Sequence, residues 1–216
     1  MPTFRHKETG KKIFFIHIPR TAGRFVERNL ETYGWVWDDQ VDVDRKYKSV
    51  DGVEVAHFHK EYYEKYLDVE DIPHFTIVRN PINRFISASI YLRELYGHDI
   101  QELMEDPMYF FSMIENYPST ESVNWYRPQV DFLSEKTHVW KFEDGIGDEF
   151  SKWLSDIAGV EIKMDPEVKY KNSDESHKLD KTPALVNNIR ELCRKDIEQL
   201  YPELATPLQE GAETKT

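Results

Sequence analysis

Cysteine is nearly absent from this chain: Cys193 is the only one in 216 residues. A single thiol cannot close an internal disulfide, and it rules out a Cys-rich metal site. Its setting, Arg190-Glu191-Leu192-Cys193-Arg194, reads as a helical core position rather than a reactive one. Long apolar runs are missing as well. The longest near the start, Ile13 to Ile18, is interrupted by His17, and a membrane span needs roughly 18–20 apolar residues. The opening Met-Pro-Thr-Phe-Arg-His-Lys has none of the apolar stretch of a signal peptide. The expectation is a soluble chain in a reducing cytoplasm.

Positive charge is the other shortage. Lys and Arg number 28 against 40 Asp and Glu, for a net charge of −12. Such an excess argues against broad binding to nucleic acid or to an anionic membrane. It leaves room for a local cationic pocket, and in an acidic protein such a pocket is informative. Hydrophobic residues make up only 39%, yet the aromatics reach 13% with 5 Trp, 12 Tyr and 12 Phe. Each aromatic buries a large area, so one core can be filled and wholesale disorder is not expected. No internal repeat and no low-complexity linker divides the chain. The expectation is one domain over residues 1–204 and a frayed tail over 205–216.

Short apolar runs alternate with amphipathic stretches, which is the pattern of an α/β domain. Strands are expected at 12–18, 53–58, 74–79 and 137–142. Helices are expected at 24–33, from Pro81 to about Tyr96, at 148–157 and in one long run from Pro183 to Tyr201. Asn80-Pro81 and Thr182-Pro183 are N-cap and first-turn signals. Residues 35–50, with Trp35 and Trp37, read as an irregular excursion, and 100–135 as helical segments broken at Pro107, Pro118 and Pro128. Strands that feed helices through turns imply a mainly parallel central sheet with helices on both faces, and ligands then bind beyond the carboxyl ends of the strands.

Two such strand ends carry arginines. Ile18-Pro19-Arg20-Thr21-Ala22-Gly23-Arg24 ends the first strand and opens a helix, where backbone N–H groups and the helix dipole favour an anion. Arg20 and Arg24 add positive charge and Thr21 a hydroxyl. The Gly-x-x-x-x-Gly-Lys-Ser/Thr loop of nucleoside-triphosphate sites is absent. The third strand ends at Arg79, and the following helix carries Asn80, Arg84 and Ser87 on one face. Arg79 and Ser87 are placed to grip a second anion. A βα turn with surface arginines and a capped, solvated helix face is the plain alternative for each unit alone.

Phe15-Ile-His-Ile-Pro-Arg-Thr-Ala-Gly23 resembles the 5′-phosphosulfate loop of sulfotransferases, whose usual form is Pro-Lys-Thr/Ser-Gly/Ala-Gly-Thr/Ser. Thr76-Ile-Val-Arg-Asn-Pro-Ile-Asn-Arg-Phe-Ile-Ser87 is similar to that family's 3′-phosphate motif, an Arg followed eight residues later by a Ser. Ala56-His-Phe-His59, Phe142-Glu-Asp144 and the final helix point to the branch that includes the carbohydrate O-sulfotransferases. The resemblance spans most of residues 12–201. It implies a single P-loop-NTPase-like domain, the donor 3′-phosphoadenosine 5′-phosphosulfate (PAPS, leaving 3′-phosphoadenosine 5′-phosphate, PAP) and a soluble small-molecule or carbohydrate acceptor. Arg20, Thr21, Ala22, Gly23, Arg24 and Phe25 would then line the 5′ side of the donor, and Arg79 with Ser87 the 3′-phosphate. Lys171, Asn172 and Ser173 fall where the family folds a loop over the nucleotide. The usual loop lysine is Arg20 here, which can neutralise charge but cannot give up a proton. The usual hydroxyl pair is Arg24 and Phe25.

Sulfuryl transfer needs in-line positioning, charge stabilisation on the leaving oxygen and a base for the acceptor proton. Arg20 is the candidate for the charge, and an imidazole suits the base. His57 matches the family position at the end of the second strand, and His59, two residues on, competes with it. His17 reads as a core histidine and His177 as solvent-facing. Trp35, Trp37, Tyr91, Trp125, Tyr126 and Arg127 lie in the segments expected to meet the acceptor, but aromatics so spaced serve a core equally well. No metal is expected, since no Cys cluster and no His-Glu-x-x-His spacing occurs. A kinase-like phosphoryl transferase and a non-catalytic nucleotide-binding domain are the competing readings.

Overall fold

The computed structural model describes residues 2–38, 49–50, 53–96, 121–168 and 181–206. Lys171, Asn172, Ser173 and His177, residues 97–120 and the tail from 207 lie outside the described residues.

The centre is a five-stranded sheet in the order β3-β1-β2-β6-β7. Its strands are β1 (Thr3–His6), β2 (Lys12–Ile16), β3 (Trp35–Trp37), β6 (His74–Val78) and β7 (Thr137–Lys141). β2, β6 and β7 pair in parallel, with Phe15 opposite Phe75 and Thr76 opposite Val139. β1 runs antiparallel to β2 and to β3, so four strands share one direction and β1 opposes them. Ile13, Phe14, Phe15 and Ile16 are all fully buried, because β2 is covered on both faces. Phe15 packs with Phe75 against α1 (Gly23–Thr32) and α5 (Asp148–Ala158) through Phe25, Val26, Phe150 and Leu154. Phe14 and Ile16 face the other way, onto Phe58, Phe132, Tyr201 and the Tyr63 of α2 (Lys60–Tyr66). A third cluster joins α3 (Pro81–Tyr96) to α6 (Pro183–Leu192) through Ile82, Phe85, Leu185 and Ile189.

The α/β class and the helices on both faces of the sheet follow the sequence pattern, with four departures. Thr3–His6 is a strand that no apolar run announces; it forms because Phe4 pairs across to Ile13 and Trp37. Trp35–Trp37 is the edge strand β3 rather than an excursion. The expected strand 53–58 is not in the central sheet. β5 (Val53–Glu54) pairs only with β4 (Ser49–Val50), and Val55–His57 is a single 3-10 turn. Val53 and Phe58 lie an odd number of residues apart, so a strand would send them to opposite faces, yet both enter the same buried cluster. The turn makes that possible. The helix expected to run unbroken from Pro183 to Tyr201 divides at Cys193 into α6 and α7 (Arg194–Leu200). α6 lies on α3 while α7 lies on the Gln129–Phe132 turn, and one straight helix cannot meet both. Cys193 itself is buried at the break, and burial pushes its thiol up to about 12. The short helix α4 (Glu121–Tyr126) lies within the stretch expected to be helical. No helix among the described residues is long and apolar enough to cross a membrane.

Candidate functional site

The loop from Pro19 to Gly23 joins the carboxyl end of β2 to α1. Two of its residues, Arg20 and Ala22, adopt φ of 68°, the left-handed region that non-glycine residues avoid. Each costs on the order of 1–3 kcal/mol, and persists only when its surroundings impose it. Here they do. Thr21 is fully buried and its hydroxyl donates to Ile18 O at 2.8 Å. Arg84 Nε donates to Pro19 O at 3.0 Å, and Arg79 Nη1 to Arg20 O at 3.2 Å. Three consecutive carbonyls are thus held from the protein side. α1 has Ala22 as its N-cap, which makes no side-chain capping bond, and no acidic residue stands in its first turn. Gly23 is required for another reason: a Cβ there would lie 2.7 Å from His17 Cε1 and nearer still to Nε2 and Cδ2.

The two arginine-bearing units meet. Arg20 Nε donates to Ser87 Oγ at 3.0 Å across 67 residues of sequence. The Arg20 guanidinium also lies 4.8 Å from the ring of Tyr91, which stacks on Trp125 at 4.7 Å. Arg79 rests over Phe142 at 4.8 Å. Gln129 grips its backbone from both sides: Arg79 N donates to Gln129 Oε1, and Gln129 Nε2 donates to Arg79 O, each at 2.8 Å. Gln129 in turn donates to Asp196 at 3.2 Å, and burial raises the Asp196 carboxyl against the pull of Arg84. Asn80 caps α3 as expected, accepting from Ile82 N and Asn83 N. Its own N–H donates to Glu143 of Phe142-Glu-Asp144.

Other candidates sit differently from the sequence expectation. Arg24 is exposed on the first turn of α1, whereas the Phe25 ring belongs to the core. Thr21 turns its hydroxyl inward. Arg84 is not on a solvated face with Ser87: it is 2% exposed and bonded to main-chain carbonyls. A long cation among apolar neighbours must match its donors, and the carbonyls near Arg127 supply that match.

The histidines gather behind the loop. His17 Nδ1 lies 2.8 Å from Glu27 Oε1, and both side chains are buried. Burial lowers the His17 pKa more than Glu27 raises it, while His17 holds the Glu27 carboxyl down against desolvation. The pair is therefore a neutral imidazole against a carboxylate. His57 stands edge-on to His17 at 5.0 Å and to Trp125 at 5.4 Å, and its Nδ1 is 3.3 Å from Glu54 Oε2. A carboxylate beside one ring nitrogen orients the other, the arrangement a general base requires. His59 is buried with Nε2 unmatched, and desolvation, then Arg127, lowers it to about 4. Such a group stays neutral near pH 7 but has little basicity to offer. Of the two, His57 has the better setting.

Gln129, Asp196, Asn124 and Glu54 were not singled out by sequence reasoning. Only Glu54 had a local signal, three residues before His57. Among the described residues, no group of three or more His, Cys, Asp or Glu side chains is placed to hold a metal ion. No family model matches the chain, and no curated protein or solved structure matches it either.

Proposed function

We propose that the protein is a sulfotransferase that moves the sulfuryl group of PAPS to a hydroxyl or amine of a soluble acceptor. The observation that carries this reading is the meeting of the two arginine-bearing strand ends. Arg20 contacts Ser87, and Arg79 contacts the Arg20 carbonyl, at the opening of an uncapped helix. Two anion sites about one loop suit a donor with a phosphate at each end of its ribose. The same reading takes β2, the loop and α1 as a P-loop-NTPase-like unit.

In this mechanism the acceptor oxygen attacks sulfur as the sulfur–oxygen bond to the 5′-phosphate breaks. The electron pair of that bond passes to the phosphate oxygen, where Arg20 and the N–H groups at the start of α1 oppose the growing charge. His57, oriented by Glu54, accepts the acceptor proton. Arg79 and Ser87 hold the 3′-phosphate, and PAP leaves as product.

The test is consumption of PAPS with an acceptor panel and mass detection of the sulfated product. His57→Ala should lose about 10²–10⁴-fold in kcat while PAP still binds. Calorimetry with PAP and with ATP separates this reading from a kinase-like one. PAP binding without turnover on any acceptor would leave a nucleotide-binding domain.

A further inference from the structure

Arg84 is a buried cation whose partners divide between two segments. Nε donates to Pro19 O at 3.0 Å, immediately before Arg20. Nη1 donates to Arg127 O at 2.9 Å, and Nη2 to Trp125 O at 3.1 Å and Asn124 O at 3.5 Å. Asn124 and Trp125 lie in the last turn of α4, and Arg127 follows its end. Asn124 is fully buried and faces two ways. Its Nδ2 donates to His57 O at 2.9 Å, and its Oδ1 accepts from Arg127 Nε at 2.9 Å. A continuous hydrogen-bonded path therefore runs from the loop carbonyl through Arg84 and Asn124 to the backbone of His57. A second line leaves the same helix: Trp125 is edge-on to His57 and stacks on Tyr91, on which Arg20 lies.

We infer that Arg84 and Asn124 are positioning residues that hold the Arg20 loop in register with His57. The inference rests on the sulfotransferase reading, because it assigns the two ends of the path to leaving-group stabilisation and proton removal. Neither residue touches the reacting atoms. Their effect is on distance: shifting one half of a site by about 1 Å is enough to cost on the order of 10²-fold in rate. Arg matters over Lys because a single ammonium cannot donate along Pro19 and along α4 at once, whereas the guanidinium fork does.

The experiment uses the full chain with Arg84→Lys, which keeps the charge, and Asn124→Ala. Amide hydrogen exchange without ligand is the first readout. Arg84→Lys should speed exchange at residues 20–24 and at 124–127 together, by about tenfold or more, the equivalent of about 1.4 kcal/mol. Asn124→Ala should speed exchange at 57–59 while leaving 20–24 near wild type. The second readout is kinetic: both variants should lose on the order of 10²-fold in kcat and keep PAP affinity within about threefold. Variants that melt earlier but retain wild-type kcat would overturn the inference, as would faster exchange confined to 124–127. Failure of the wild type to bind PAP would overturn the proposed function instead, and the exchange data would still decide whether the brace exists. If Arg84→Lys does not fold, Asn124→Ala decides by the same two measurements.

Discussion

Gly23→Ala adds one methyl group, and the structure says where it must go. The φ of Gly23 is not in the left-handed region, so the backbone tolerates alanine. The cost comes from His17. To reach the 3.4 Å of ordinary contact, Cε1 alone must retreat by about 0.7 Å, and Nε2 and Cδ2 farther. The ring has little room to retreat. It stacks on Phe15 with an interplanar angle of 9°, meets His57 edge-on at 5.0 Å and holds Glu27 at 2.8 Å. Overpacking of this kind costs about 1–3 kcal/mol. If the ring yields by leaving Glu27, a buried carboxylate loses a hydrogen bond, for about 1.5–3 kcal/mol. A loss of about 2 kcal/mol is therefore the expected midpoint, which at this chain length lowers Tm by about 4–8 °C. Thermal and urea denaturation near pH 7.5 measure it. The control is the same substitution in a His17→Ala/Glu27→Gln background, where the methyl has space and the added cost should fall below about 1 kcal/mol. A single Gly23→Ala variant melting within about 1 °C of wild type would refute the reasoning, as would an equal penalty in both backgrounds.

Stability should fall in mild acid. His17, His59 and His74 are all depressed chiefly by burial, so the unfolded chain takes up protons first as pH drops below 6.5. For His59 the stability present above pH 6.5 is lost as pH falls toward about 4. Asp196, raised by burial, works in the opposite sense and does not contribute to this loss. A urea midpoint that stays constant from pH 7 to pH 5 would contradict this. Arg79→Ala should weaken PAP binding by about 1.5–3 kcal/mol and Ser87→Ala by about 1 kcal/mol, read by calorimetry; unchanged affinity in folded Arg79→Ala would end the 3′-phosphate assignment. Cys193 should resist thiol reagents at pH 8 in the folded protein and react once urea unfolds it, because burial holds its pKa near about 12. Reaction at a free-cysteine rate without denaturant would disprove its burial.

Local rules determined what the sequence could show. The Ile13–Ile16 run states that β2 is covered on both faces, and Asn80-Pro81 specifies a capped helix start that the side-chain bonds to Ile82 and Asn83 realise. The Pro19–Gly23 turn and the Arg79–Ser87 spacing were legible because each motif lies within a dozen residues, where backbone geometry alone relates the side chains. What tertiary structure decided are the pairings across the chain. Gln129 holding Arg79 spans 50 residues, Asn124 holding His57 spans 67, and Arg84 reaching Pro19 spans 65. Periodicity placed Arg84 on a face with Ser87, but whether that face meets water or the end of α4 depends on where the fold lays that helix. The 53–58 run departed from its pattern for the same reason, since Val53 and Phe58 share one core only if the strand ends between them. A side chain's own neighbourhood in sequence sets its conformation, while its burial and its partner are set by elements that arrive from elsewhere in the chain.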